Sequence, residues 1–309
     1  MANKPELITT AANLDELERV LRAGADAVAV GEERFGMRLP GSFDIEDIQK
    51  GVKLAHERGA KLYVIANALF TNEVADELPD YLRRVAAAGA DALAFGDPAL
   101  IPAMREAGVT LPLHWHGETL STNYETANYW GRRGAVRVFA ARELSLDELI
   151  AFKQDCALQV QVQVHGMTNI YHSKRPLVGL YREHQGKRGE AESYGLHTGL
   201  SLVEAERPDE RFPVYEDANG THIMSSDDLC YLEVLNELMA AGIDSLYVEG
   251  LLKGTAYQEK VIGIYRQAID AWAENPTDWF KEEWLEELEA MQPDDRPLCF
   301  GFLYKQQVY

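Results

Sequence analysis

Short apolar runs alternate with stretches whose apolar positions recur every three or four residues, and this alternation fills most of the 309-residue chain. Runs of the first kind read as strands and stretches of the second as amphipathic helices. Strands are expected over 6–10, 27–30, 61–66, 92–95, 111–115, 136–140, 158–164 and 245–249, and eight is the number that closes a parallel barrel. Helices are expected over 14–23, 45–58, 77–88, 98–106, 124–133 and 146–154, several with acidic residues early. Ala23-Gly24-Ala25-Asp26 returns as Ala88-Gly89-Ala90-Asp91 and, with one change, as Ala241-Gly242-Ile243-Asp244. Each copy sets a helix-ending glycine just before a strand, the mark of a repeated βα unit.

One connection breaks the rhythm. Residues 166–225 are far too many for an ordinary βα loop. Within them 200–204 and 211–215 read as strands, and Asn219-Gly220 ahead of Thr221–Met224 signals a hairpin, so a small β-meander is expected. Ser225 to Asp228 is expected to cap a helix over 229–239. Residues 255–271 read as a closing helix, and 272–292, acidic with Trp279 and Trp284 at helical spacing, as a docked terminal helix. The aromatics of 298–309 need a surface to cover. The fold class is therefore α/β: a TIM-type (β/α)8 barrel with a hairpin-containing insertion after strand seven and a C-terminal helical extension. Its parts are the first seven strands (1–165), the insertion (166–225), the end of the barrel (226–274) and the extension (275–309). The length agrees, because such barrels take about 250 residues.

Composition narrows the function classes. A hydrophobic fraction of 46% and a charged fraction of 26% suit a globular protein with a large core. No run of about 18 apolar residues occurs, and the opening residues lack the basic-then-apolar layout of an export signal, so a cytoplasmic location without membrane contact is expected. Cys156, Cys230 and Cys299 are odd in number and widely spaced, which favours buried thiols over disulfides or a local metal knuckle. The net charge of −20 repels phosphate. Against it stand Lys174, Arg175, Arg182, Lys187 and Arg188, five cations within fifteen residues, which with His172 read either as anion contacts or as a solvated loop.

Chemistry in such a barrel gathers at the carboxyl ends of the strands. Those ends supply Thr9, Thr10, Asn67, Asp97, His114, His116, Glu118, Arg142, Glu143, His165, Glu249 and Lys253. His114 and His116, two apart on a strand, point the same way, so a divalent metal with His165 as third ligand is one reading and satisfied pocket histidines the other. Arg142-Glu143 reads as an ion pair, or as a guanidinium fork offered to a carboxylate or phosphate. Glu249 facing Lys253 or Arg142 would polarise a substrate or lock the barrel. No nucleophile elbow, zinc-helix or phosphate-loop motif is present.

Several stretches together resemble the collagenase-like peptidase family U32: Gly24-Ala25-Asp26-Ala27-Val28 leading to Arg34-Phe35, Ala55-His56-Glu57-Arg58-Gly59, Ala141-Arg142-Glu143-Leu144-Ser145-Leu146, Val164-His165-Gly166-Met167, Phe212-Pro213-Val214-Tyr215-Glu216-Asp217, and Val248-Glu249-Gly250 with Lys253. The resemblance implies activities of quite different kinds, namely collagenase-like proteolysis, hydroxylation of nucleobases in tRNA or ribosomal RNA, and hydroxylation of a quinone precursor. Hydroxylating members carry cysteines after the His-Gly and before the hairpin that are thought to hold an iron–sulfur cluster. The first corresponding positions here are Asn169 and Pro176, and 166–225 contains no cysteine, so the cluster is not expected in this chain. Short members of this kind look like the partner subunit of a longer, cysteine-bearing paralogue in forming 5-hydroxyuridine at the tRNA wobble position. The partners implied are that paralogue and, through it, tRNA, with a homo-oligomer compatible. The other reading is a peptidase or metal-dependent hydrolase using His114, His116 and His165.

Overall fold

The computed structural model describes residues 4–117, 120–187 and 194–305. Seven strands come first: β1 (Glu6–Thr10), β2 (Ala27–Val30), β3 (Lys61–Ala66), β4 (Ala92–Phe95), β5 (Leu113–Trp115), β6 (Ala135–Phe139) and β7 (Gln159–Gly166). The chain then builds β8 (Asn169–Ser173), β9 (Ser201–Glu204), β10 (Arg207–Asp217) and β11 (Gly220–Met224), returns through β12 (Asp228–Cys230), and completes the ring with β13 (Ser245–Val248). The helices are α1 (Leu14–Ala23), α2 (Ile45–His56), α3 (Asn72–Ala88), α4 (Leu100–Ala107), α5 (Tyr124–Gly131), α6 (Leu146–Asp155), α7 (Leu177–His184), α8 (Leu235–Ala240), α9 (Thr255–Glu274) and α10 (Glu282–Glu289).

Strand order β13-β1-β2-β3-β4-β5-β6-β7, with β13 also paired to β7, makes a closed parallel barrel of eight strands. The repeated glycine–aspartate turn explains how neighbouring strands are held in register. Asp26 donates its N–H to the Leu7 carbonyl (2.8 Å) and accepts the Leu7 N–H on its side chain (2.8 Å). Asp91 makes the same pair of bonds with Leu62 (2.9 and 2.8 Å), and Asp244 makes it with Val160 (3.1 and 2.7 Å). The third bracket joins β13 to β7, where the cylinder closes, and Lys153 pairs with the same Asp244 carboxylate at 2.5 Å.

Alternation along each strand sorts side chains into two layers. Val160, Val162 and Val164 join Leu7, Val28, Val64 and Leu246 in the apolar layer beneath the helices. Facing inward, Ile8, Ala29, Tyr63, Ile65, Phe139 and Tyr247 fill the barrel beside polar groups. Those polar groups form a plug at the amino end. Arg137, buried, pairs with Glu6 and donates to Gln159 Oε1 (2.9 Å), while Tyr63 Oη donates to Glu6 (2.7 Å). Burial pushes the Glu6 carboxyl up, but Arg137, Tyr63 and Lys61 outweigh it and hold the group below its ordinary value.

Three expectations change. The helix expected over 229–239 is shorter, because β7 runs past the barrel rim and its free edge pairs antiparallel with β12, Leu229 opposite Gly166 and Cys230 opposite His165. A 3-10 turn at Leu232–Val234 follows, and only then α8. The insertion is more than a meander: β9, β10 and β11 follow one another, and β8 is added beside β11. In the extension Trp284 and Leu288 of α10 are buried as a docked helix requires. Trp272, however, belongs to α9, and Trp279 is buried ahead of α10 rather than within it. Beyond it a further strand, β14 (Leu298–Cys299), lies parallel to β12, and Leu303 is buried in the described part of the tail.

Asp244→Ala leaves the Val160 N–H without its acceptor at the closing seam and is expected to cost about 2 kcal/mol. A lower urea midpoint with unchanged slope would register this; an unchanged midpoint would show that closure does not depend on the bracket.

Candidate functional site

The barrel mouth is shaped by an irregularity in β7. Tyr247 of β13 lies opposite Gln163, but the next residue, Val248, lies opposite His165, so Val164 is an extra residue and β7 bulges there. Regular alternation would turn His165 inward; the bulge turns it outward with Val164. Its ring is fully buried between the barrel wall and α9, with Nε2 2.7 Å from Tyr257 Oη and Nδ1 3.3 Å from Tyr265 Oη. Tyr265 spends its proton on the Val164 carbonyl (2.9 Å), and Tyr257 accepts from Gln292 (2.5 Å), so the neutral ring carries its hydrogen on Nδ1. Burial holds His165 down to about 3. At Gly166 the backbone has φ +95° and packs against the Glu249 carbonyl where a Cβ would collide, so glycine is required.

Inside the rim a connected set remains. Arg142 Nε donates to Gln163 Oε1 at 2.6 Å, and the Gln163 amide donates to the Met167 carbonyl at 2.9 Å, tying β6 and β7 ends together. The Arg142 guanidinium also lies 5.5 Å from the Phe139 ring centre, which packs on His116 (4.5 Å) and Tyr247 (5.3 Å). Tyr247 Oη donates to Glu249 (3.2 Å), whose other oxygen accepts the Leu251 N–H (3.0 Å). Burial raises Glu249 above its ordinary value, opposed by the Leu251 N–H, Arg142, Tyr247 and Arg38. Asn67 accepts the Met37 N–H (2.8 Å) and its amide lies 3.4 Å from His116 Nδ1. Arg142, Glu249, Asn67 and His116 are thus gathered at the mouth around Phe139 and Tyr247, where they offer hydrogen-bonding groups and charge.

Other expected residues lie elsewhere. His114 is deeper, edge-on to Tyr63 at 4.7 Å, and burial and then Arg137 hold it well below its ordinary value. It shares with His116 and Arg137 an interior cavity of about 20 Å³, room for about one water. His165 lies on the opposite side of the wall, so His114, His116 and His165 are not a ligand set, and no cluster of three His, Cys, Asp or Glu suited to a metal occurs among the described residues. Asp97 accepts the Phe70 and Ala99 N–H groups (3.0 and 2.9 Å), which makes it a pin between two loops. Lys253 pairs with Asp228, not with Glu249, and Arg296 approaches the same carboxylate at 3.4 Å. Arg142 turns to Gln163, while Glu143 keeps a buried Oε2 without a hydrogen-bond partner among the described residues. Glu118 and Arg188 lie outside the described residues.

Arg38 was not among the expected residues. It is buried, holds φ +56°, and lies close enough to both Glu249 and His172 for its charge to act on each. A lone cation between Met37 and Leu39, just before Pro40-Gly41, was the available signal.

The insertion roofs one side of this mouth. Asn219, at the hairpin turn, donates to the Glu33 and Gly36 carbonyls (both 3.2 Å), and its own carbonyl lies 3.0 Å from His172 Nε2. His172, His222 and Tyr215 stack at 4.8 Å spacings, and Lys174 donates to the Leu69 carbonyl. Between roof and rim a cleft of about 280 Å³ is lined by Arg34, Phe70, Thr71 and Lys174 among others.

An iron–sulfur cluster needs thiolates converging on one point. Cys230 lies against Tyr265, whereas Cys299 accepts the Gly301 N–H on β14, and burial pushes their thiols up to about 11 and about 12. Cys156, at the end of α6, is also raised by burial. These residues do not fit the group.

Fold and rim define a (β/α)8 barrel with a roofed, polar mouth. The family model for peptidase family U32 matches residues 12–308, and the chain belongs to that family. It is 46% identical over 308 residues to tRNA hydroxylation protein P2 of Bacillus subtilis, covering 99% of each chain. It is 30% identical to tRNA hydroxylation protein P1 of the same bacterium, covering 97% of this chain and 71% of that one. The solved structure of a U32 peptidase aligns with a TM-score of 0.51 at 14% identity, covering 81% of this chain and 94% of the other, a likeness of fold. No helix among the described residues is long and apolar enough to cross a membrane.

The sealed His165 makes stability depend on acid. Its folded value of about 3 lies below the ordinary 6.5, so between these pH values the unfolded chain takes up a proton that the folded one does not. Stability present above pH 6.5 is lost as pH falls toward 3, about 2 kcal/mol by roughly pH 5. His165→Gln is expected to lack this portion of the acid slope in denaturant titrations; equal slopes would contradict the outward, water-free position.

Proposed function

We propose that this chain serves tRNA wobble-uridine 5-hydroxylation as a subunit without its own iron–sulfur cluster, working with a longer family member that supplies the redox centre. The observation that carries the reading is the full-length similarity to tRNA hydroxylation protein P2, in a bacterium that also holds P1, a longer protein. The donor chemistry is consistent with it. Hydroxylation requires an oxidising centre, and the three thiols here are separate and raised by burial.

In this role the mouth binds and orients rather than oxidises. Arg142 and Arg38 favour an anionic or strongly polar ligand beside Glu249, while Asn67 and His116 offer hydrogen bonds opposite. Phe139 and Tyr247 give the ligand an apolar floor. The hydrolytic reading with three histidines has no matching geometry.

Deleting the gene is expected to abolish or sharply lower 5-hydroxyuridine in tRNA digests analysed by mass spectrometry, and Arg142→Ala on a plasmid is expected not to restore it while accumulating as folded protein. Full modification in the deletion strain would refute the proposal.

A further inference from the structure

The outer face of the insertion combines features that nothing at the mouth uses. In β8 the pairing with β11 slips between Ile223 and Met224, leaving Ile170 as an extra residue, and both Ile170 and Tyr171 are exposed (53% and 47%). Tyr171 pairs with Ile223, and Ser173 pairs with Thr221, so these residues share one sheet face. α7 begins against that same face: Leu177 N–H donates to Thr221 Oγ1 (2.8 Å) and Val178 N–H to the Glu216 carboxylate (2.7 Å). From α7, Leu180 and Tyr181 project into solvent at 49% and 61% exposure. Two exposed tyrosines and two exposed aliphatics therefore lie on β8 and α7, neighbouring elements that bury little of their own apolar surface.

The face also carries cations. Most arginines here have carboxylate partners, as Arg34, Arg58, Arg137, Arg207 and Arg266 do. Among the described residues Arg175, Arg182 and Lys187 have no ion-pair partner. These three cations stand in a chain of net charge −20, with Glu183 on α7 and the Glu216 carboxylate at the start of that helix. The opposite edge of the same sheet, β9 with the start of β10, carries Glu204, Glu206, Asp209 and Glu210. Protein interfaces also use tyrosines beside cations, so the choice of occupant rests on the tRNA reading given above. Unpaired nucleotides use both, phosphates on the cations and bases stacked on the rings.

We propose that the β8–α7 face, with Tyr171, Tyr181, Arg175, Arg182 and Lys187, is a contact surface for single-stranded RNA. It deepens the tRNA reading given above and rests on it. Lys174, anchored to the Leu69 carbonyl at the rim, fixes this face beside the barrel mouth, so an RNA loop held on it lies next to the proposed pocket.

The test uses the full chain, alone and with its longer paralogue, and an unmodified tRNA transcript in a binding titration over a range of salt. The triple variant Arg175→Glu, Arg182→Glu, Lys187→Glu is expected to weaken binding at least about tenfold, and to flatten the logarithmic salt dependence by about 2 for three lost contacts to unpaired phosphates. Tyr181→Ala is expected to weaken binding about tenfold without altering the salt dependence. Lys50→Glu, on α2, is the control and leaves binding unchanged. Wild-type binding with all variants equal to it would overturn the surface while leaving the tRNA role intact. Variants that bind RNA normally but no longer associate with the paralogue would assign the face to protein docking and overturn the proposal. Absence of binding by the wild-type chain in both settings overturns it as well, whereas loss of 5-hydroxyuridine on gene deletion bears only on the function it rests on.

Discussion

The seam between β7 and β13 is the constraint on which the molecule depends. A parallel barrel has no edge only if its last strand finds its first neighbours on both sides, and here β13 pairs with β1 on one flank and β7 on the other. Asp244 fixes the amino end of that seam by two backbone-directed bonds. Near the carboxyl end the extra residue in β7 changes which side chain meets which layer. Gln163 stays inward and positions Arg142, while His165 goes outward and is sealed by Tyr257 and Tyr265. One inserted residue thus separates a polar mouth from a buried hydrogen-bonded post that locks α9 to the wall.

The same seam controls electrostatics at the rim. Glu249 ends β13 and is buried, which raises its pKa, yet it lies within reach of the Arg142 and Arg38 charges. Arg38 is held there by a left-handed backbone that the neighbouring loop stabilises through Asn67 and the roof through Asn219. The insertion is therefore part of the site's scaffold. Its inner face stacks His172, His222 and Tyr215 against the rim, and its outer face carries the aromatic and cationic groups directed at solvent.

Much of this was legible along the chain. Four of the first strands fall on the residues that alternation and apolar runs marked, because strands buried on both faces have little choice of register, and the glycine–aspartate turns announced the repeated unit. What sequence reading missed were long-range pairings: β12 borrowing the overshooting edge of β7, β8 joining β11 across α7, β9 and β10, and the bulge at Val164. None of these has a local signature, since each depends on an edge supplied by residues far away in sequence. The bulge alone reversed the reading of His165, because a period of two predicts the wrong face once one residue is inserted. Arg142, His116, Asn67 and Glu249 were recognisable as strand-end polar groups; Arg38 was hidden in a loop among apolar neighbours.

The central claim is that this barrel binds and positions while its redox partner is a separate chain. Iron and acid-labile sulfide measured on the full chain, purified without oxygen and offered both elements for reconstitution, test it most directly. The account predicts background levels of both in the isolated protein. About four irons with matching sulfide per chain, together with the absorption of a bound cluster, would contradict it.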